Sequence, residues 1–266
     1  RSSDLTNDDA VRRSQLKDTL RYLIYKSLYT CFDSAIAIGT LNQQHLIKHG
    51  IQADKTELAY YCVPDKFQKF SLPEKQKLRQ SIRQEFGITE DRFVILFCGK
   101  LISKKNPELL LQALQQIPQP QRHQLALLYV GSGPLEKNLR SVTANIPDLK
   151  VHFAGFKNQL ELPPYYLAAD ALVLPSNRQG ETWGLVVNEA LQAGLPCIVT
   201  DAVGCSVDFY KFPNFQVIPE QSADSLAKAM IKIMHIPRDF ERYQLAMKDF
   251  SVQHCSNKIT SFMLSL

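Results

Sequence analysis

The chain is predicted to be an α/β protein built on a parallel sheet with helices on both faces. From residue 91 on, short runs that are apolar throughout alternate with amphipathic helical stretches. Strands buried on both faces need such runs, and a helix between consecutive strands is what parallel pairing requires. Seven of the 11 glycines fall between 99 and 194, mostly where a strand hands over to a helix. The composition is globular, with 45% hydrophobic and 21% charged residues in 266.

The first part of the chain is less regular. Residues 8–32 are predicted helical, because Leu16, Leu20, Leu23, Ile24 and Leu28 recur at three and four. Ala35–Ile38 is a short strand candidate, Leu41–His49 a helix ended by Gly50, and Leu58–Val63 another strand. Pro64 to Pro73 mixes Pro, Lys and Phe without a period, as a linker does. Pro73–Phe86 is an amphipathic helix with Leu78, Ile82 and Phe86 on one face and Gly87 as its stop.

In the regular part the strands are Phe93–Phe97, Leu125–Val130, Val151–Phe153, Ala171–Leu174, Cys197–Thr200 and Phe215–Ile218. Helices are expected at Asn106–Ile117, Pro134–Val142, Gln159–Ala169 and Trp183–Ala193. Three more, at 222–236, 238–250 and 255–264, close the chain.

Several function classes are excluded early. The net charge of +5 is small and evenly spread, without the basic stripe of a nucleic-acid binder. No apolar run approaches the roughly 18 residues of a membrane helix. Arg1-Ser2-Ser3-Asp4 has neither an initiator Met nor an apolar signal core, so no export signal and a start inside a longer protein are expected. Cysteines at 31, 62, 98, 197, 205 and 255 match no zinc spacing and read as buried, reduced thiols of a cytosolic protein. His45 and His49 lie four apart on a predicted helix, but with no third ligand nearby they read as a surface pair. Lys66, Lys69, Lys75, Lys77, Arg79 and Arg83 read as a solvated basic face, with an anionic lipid surface as the alternative.

The chemistry sits in the loops. Between the strand ending near Pro175 and the helix opening at Gly184 runs Ser176-Asn177-Arg178-Gln179-Gly180-Glu181-Thr182-Trp183. Free amides and the positive dipole end at a helix start make an anion site. Glu181 precedes that start, and Glu189 follows about two turns inside. Ionised carboxylates only accept hydrogen bonds, so beside a phosphate they suit sugar hydroxyls. Phosphate on the helix end and hydroxyls on two acids describe a nucleotide sugar. A helix-capping Glu181 and a solvated Glu189 account for the same spacing.

After the first regular strand comes Gly99-Lys100-Leu101-Ile102-Ser103-Lys104-Lys105-Asn106, whose lysines could neutralise a departing diphosphate or form a solvated basic turn. Gly131-Ser132-Gly133-Pro134 lacks the rest of a P-loop or dinucleotide fingerprint, and a tight turn explains it.

Taken together these segments resemble the retaining glycosyltransferases of family 4 (group 1). Glu181–Glu189 has the family's E-x7-E form. "FVILFCGKLISKKNPELLLQAL" is similar to its G-[RK]-L-x4-K-x-P segment, and "LALLYVGSGPLEKNLR" to its strand, G-x-G-P turn and helix. "VHFAGF", "PPYYLAADALVLPS" and "ETWGLVVNEALQAGLPCIVTDAVGC" extend the match. "DSAIAIGTLNQQHLIKHGI" and "YYCVPDKF" resemble the end of the family's first domain and the approach to its linker. The resemblance covers about residues 33–215. Trp183 stands where the family usually has Phe, and Val63-Pro64-Asp65-Lys66 does not match its linker pattern.

The resemblance implies a GT-B type fold, Rossmann-like, with the first domain incomplete. Residues 1–66 would be the end of the acceptor-side domain, 67–90 a linker and helix, and 91–266 the donor-binding domain. Glu189 would hold the ribose hydroxyls and Glu181 the transferred sugar. Amides of Gly184, Leu185 and Val186 would hold the diphosphate with Lys100 and Lys105, Trp183 would belong to the donor site, and Phe156 would sit at the base. The implied activity is retaining transfer of a hexosyl unit from a nucleotide diphosphate sugar to a glycan or lipid-linked acceptor, in surface polysaccharide synthesis. Glu181, Lys105 and Lys100 would be catalytic. No metal and no cofactor besides the donor substrate are expected, and no Asp-x-Asp occurs. No nucleic acid is expected as partner. The location would be cytoplasmic, with peripheral contact to the inner face of the membrane. The chain alone, as the donor half, is expected to transfer nothing. Two other readings are a nucleotide-sugar epimerase of similar architecture and a non-catalytic nucleotide-sugar-binding fragment.

Overall fold

The computed structural model describes residues 19–144, 146, 149–178 and 181–265. The N-terminal part of the helix expected over 8–32 and the loop residues Gln179 and Gly180 lie outside them. Among the described residues no helix is long and apolar enough to cross a membrane. The chain divides into two compact units, Arg1–Tyr60 with Ser256–Leu266, and Tyr61–Cys255.

In the first unit, residues 19–29 are helical (α1). Strand β1 (Ala35–Ala37) pairs in parallel with β2 (Thr56–Leu58), and helix α2 (Thr40–Lys48) connects them. The second strand lies earlier than the expected Leu58–Val63. Pairing Ala35 with Thr56 sets the register, and Ala59 N–H closes the ladder on Ala37 O at 2.9 Å. His45 and His49 are not a surface pair. His49 is buried, the two rings lie 4.2 Å apart, and the edges of Tyr25 and Tyr29 pack on them. The tyrosines recur four apart on α1, so they meet the histidines as a stripe. Within the same unit Lys258 bonds Leu58 O at 2.9 Å and pairs with Glu57 at 2.6 Å.

The second unit opens with α3 (Leu72–Glu85), started by a capping box between Ser71 and Glu74 with Pro73 in its first turn. Then come β3 (Phe93–Cys98), α4 (Glu108–Gln116), the short α5 (Gln119–Arg122), β4 (Leu125–Val130), α6 (Glu136–Ala144), β5 (Lys150–Phe153) and α7 (Pro163–Ala168). The second half is β6 (Ala171–Leu174), α8 (Leu185–Gln192), β7 (Cys197–Thr200), α9 (Ser206–Phe209), β8 (Gln216–Ile218) and α10 (Ala223–Ile233). Helix α11 (Val252–Ser265) ends the chain.

All six strands of this unit run parallel, in the order β5-β4-β3-β6-β7-β8. One face carries α4 and α10, whose Leu110, Ala113, Leu226 and Met230 pack with Ile95, Phe97, Leu127 and Val173 in one buried cluster. The alternate residues Val94 and Leu96 point to the opposite face, as the period of two requires, where α7 and α8 contact the strands and α3 packs on α7. The predicted sheet and its two helical layers are therefore observed.

Several boundaries shift. The helix expected over Gln159–Ala169 begins only at Pro163, because the Asn158 side chain takes the amides of Leu160 and Glu161. Instead of a helix over 238–250 there are turns and a 3-10 helix at Ala246–Phe250, with Asp239 diverting the Glu241 amide. The thiols are all free, but Cys31 is exposed and Cys62 half-buried. The basic stretch is not a uniform solvated face. Lys75, Arg79 and Arg83 are largely or fully buried, and both arginines grip Asp170.

Candidate functional site

Strand order reverses between β3 and β6, which are neighbours although β4 and β5 lie between them in the chain. The loops leaving such a pair diverge, and a crevice opens at their carboxyl ends. The two loops are stitched together beside it. The Asn177 amide donates to Lys104 O at 2.8 Å, and the Asn177 side chain donates to Ser103 O at 3.0 Å.

This stitching brings two predicted residues into contact. Lys105, in the 3-10 turn Ser103–Lys105, forms an ion pair with Glu181. Ser176 Oγ donates to the same Glu181 oxygen at 3.1 Å, and the Thr200 hydroxyl holds Ser176 O at 2.6 Å. Glu181 therefore does not cap the following helix. Gly184, at the helix start, has φ +97 and no side-chain cap. A Cβ there would lie 2.9 Å from Val203 and 3.0 Å from Leu174, so both backbone and space favour glycine.

Glu189 is 4% exposed, so it is no solvated face residue. It lines a cleft of about 290 Å³. Lys100, Val186, Phe156 and Lys157 line it as well. Phe156 is 74% exposed, a free apolar ring at the rim. Cys98, at the end of β3, also lines the cleft, and burial pushes its thiol up to about 12, with the Glu189 charge adding to the shift. The Lys105 and Lys66 charges act on that thiol in the opposite sense. Of the predicted residues Glu189, Lys100, Val186 and Phe156 line this cleft, and Lys105 and Glu181 do not.

Gly131, also in the cleft wall, shows why the glycines after β4 are needed. A Cβ at Gly131 would lie 2.0 Å from Gly99 O. The β4 loop rests directly on the loop that carries Lys100, and Leu101 N–H bonds Ser132 O at 3.0 Å.

Trp183 departs from its expected place. Its ring is 2% exposed, packs edge-on against Phe209 and donates Nε1–H to Asn188 Oδ1 at 2.8 Å. It anchors the loop from the core side and does not line the cleft. Leu185 and Val186 are half-buried in the first turn of α8, where amides have no intrahelical partner.

Two residues that sequence reasoning missed stand beside Glu189. Tyr166 donates its hydroxyl to Glu189 Oε2 at 2.7 Å. Lys66 Nζ lies 3.1 Å from Glu189 Oε1 and also contacts Gln159. Burial raises the Tyr166 hydroxyl well above its ordinary range. Lys66 carried no local signal, being one lysine among six basic residues. Among the described residues no group of three His, Cys, Asp or Glu could hold a metal ion.

Comparison with known proteins bears on the family and the fold. The family model "Glycosyl transferases group 1" matches residues 79–248. An uncharacterized glycosyltransferase of Methanocaldococcus jannaschii is 34% identical over 184 residues, 68% of this chain and 45% of its own length. TuaC of Bacillus subtilis, named for teichuronic acid biosynthesis, is 27% identical over 75% of this chain and 48% of its own. Among solved structures, Anabaena HepE in complex with UDP superposes with a TM-score of 0.70 at 22% identity, covering 88% of this chain and 64% of that one. The sucrose-phosphate synthase of Thermosynechococcus elongatus gives 0.70 at 24%, covering 93% and 61%. These likenesses extend to the GT-B fold. The chain spans about half the length of the curated relatives it matches. With the family model covering most of its second unit, the chain belongs to the group 1 glycosyl transferases.

Proposed function

We propose that this chain supplies the donor side of a retaining glycosyltransferase that moves a hexosyl unit from a nucleotide diphosphate sugar to a glycan or lipid-linked acceptor. The reading is supported by Lys100 and Glu189 lining one cleft at the β3–β6 reversal, and by Lys105 and Glu181 pairing across the two loops that leave these strands. The similar Anabaena structures hold UDP and UDP-glucose.

In this reading the diphosphate lies on the first-turn amides of α8 and beside Lys100 and Lys105. Negative charge on it grows as the glycosidic bond breaks, so fixed cations and amides lower the barrier most at that moment. Glu189 accepts hydrogen bonds from the ribose hydroxyls, Phe156 covers the base, and Glu181 accepts from the transferred sugar. Glu181 is already held by Lys105 and Ser176, which fixes its position before the donor arrives. Metal-free catalysis is part of the proposal, since lysines and amides supply the positive charge. A role in surface polysaccharide synthesis fits the name of the B. subtilis relative. From these residues alone we expect donor binding without turnover.

A thermal-shift panel of nucleotide diphosphate sugars tests the reading. A ligand that binds only the native state raises the melting temperature. At least one donor should do so, and Glu189→Ala should abolish the shift. A panel without any response, or a shift that survives Glu189→Ala, sinks the assignment.

A further inference from the structure

We propose that Lys66 is a positioning residue for nucleotide recognition, holding Glu189 in the orientation that reads the ribose hydroxyls. The inference rests on the donor-site reading above and adds a residue from outside the sheet to it.

Lys66 belongs to the segment before α3, and it meets Glu189 across 123 residues of sequence. Its backbone is held in place from both sides. The Asp65 carboxylate takes the amides of Phe67 at 2.8 Å and Gln68 at 3.3 Å, forming a local turn. Phe67 is 2% exposed and packs edge-on against Tyr166, with ring centroids 6.1 Å apart. Tyr166 is the residue that donates to the other Glu189 oxygen. One anchored segment therefore delivers the ammonium to Oε1 while the ring it packs on delivers a hydroxyl to Oε2.

The carboxylate gains two things from this. Its charge, 4% exposed, has a cation at hydrogen-bond distance, without which a buried carboxylate is strongly disfavoured. Its rotation is also fixed. An ionised carboxylate has about four acceptor sites. Lys66 and Tyr166 occupy one on each oxygen, which leaves one on each for a pair of neighbouring hydroxyls. Gln159, which lines the cleft, bonds the same ammonium and keeps it from swinging into solvent.

The test separates recognition of hydroxyls from attraction of phosphate. Dissociation constants are measured for UDP and for 2′,3′-dideoxyuridine 5′-diphosphate, with the GDP and ADP pairs run in parallel, on the wild type, Lys66→Met and Lys66→Arg. The wild type should favour the ribonucleotide of at least one pair. Lys66→Met should weaken that ribonucleotide on the order of tenfold, the value of a hydrogen bond to a charged group, and leave its dideoxy partner unchanged. Lys66→Arg, which keeps charge and donors, should retain most of the preference. Equal weakening of both ligands by Lys66→Met would place the ammonium on the diphosphate and overturn the proposal. Unchanged or tighter ribonucleotide binding in that variant would make Lys66 a competitor of the ligand, which also overturns it. A wild type that binds both members of every pair alike, or binds none, removes the hydroxyl role of Glu189 itself, and so marks failure of the donor-site reading.

Discussion

The two edges of the six-stranded sheet both tie β3 to β6 with charged side chains, and they do it differently. At the amino edge Arg83 is 1% exposed and gives its donors to Asp170 and to the carbonyls of Ala168, Thr89 and Arg92. Arg79 adds a second bond to Asp170 at 2.8 Å, and Asp170 in turn takes the Val94 amide at 2.7 Å. Every partner is protein. At the carboxyl edge the lysines stand on loops, Lys100 is exposed, and Lys105 keeps a fifth of its side chain open. The first network is closed by backbone carbonyls, whereas the loop lysines of the second keep part of their side chains open to solvent.

Breaking each edge in turn sharpens this contrast. The largest effect is expected at the amino edge, where Asp170→Ala strands a buried guanidinium. Losing one member of such a pair costs about 3–5 kcal/mol, read from denaturant unfolding. At the carboxyl edge Lys105→Ala should cost less stability than Asp170→Ala, because Ser176 Oγ still donates to Glu181 and a fifth of the lysine side chain is open. The same variant should weaken nucleoside diphosphate binding on the order of tenfold, read by titration calorimetry. A Lys105 variant that unfolds the protein but leaves affinity intact would reverse the contrast.

The smallest expected effect is on pH. His152 on β5 is held below its ordinary pKa, by burial first and by Lys150 second, and its ring meets Phe86 edge-on at 5.7 Å. The unfolded chain therefore takes up a proton that the folded one resists. The stability involved is present above about pH 6.5, the unfolded value, and is lost as pH falls below it. Unfolding midpoints at pH 7.5 and 5.5 should differ less in His152→Gln than in the parent.

Legibility in the sequence followed the range of the interaction. The apolar runs of β3, β4, β6 and β7 were plain, because burial on both faces writes itself into consecutive residues. The acids and lysines at strand ends were visible as types at positions, and the resemblance supplied their roles. Pairings across long stretches of chain were not visible. Arg83 and Asp170 are 87 residues apart, and Lys66 and Glu189 are 123 apart, so nothing in either neighbourhood names the other. His45 and His49 look like surface residues in the sequence for the same reason, since the tyrosines that pack on them belong to another helix.

The ladder between β3 and β4 has six partnered positions, from Phe93 with Leu125 to Cys98 with Val130, whereas β3 and β6 share two. Joining β3 to β6 means closing a long loop of chain, a late and entropically expensive step in reaching the native state. A small molecule lodged across that thin seam would meet a finished receptor only after the step is over. It would lengthen the lifetime of the native form and leave the speed of its assembly nearly untouched.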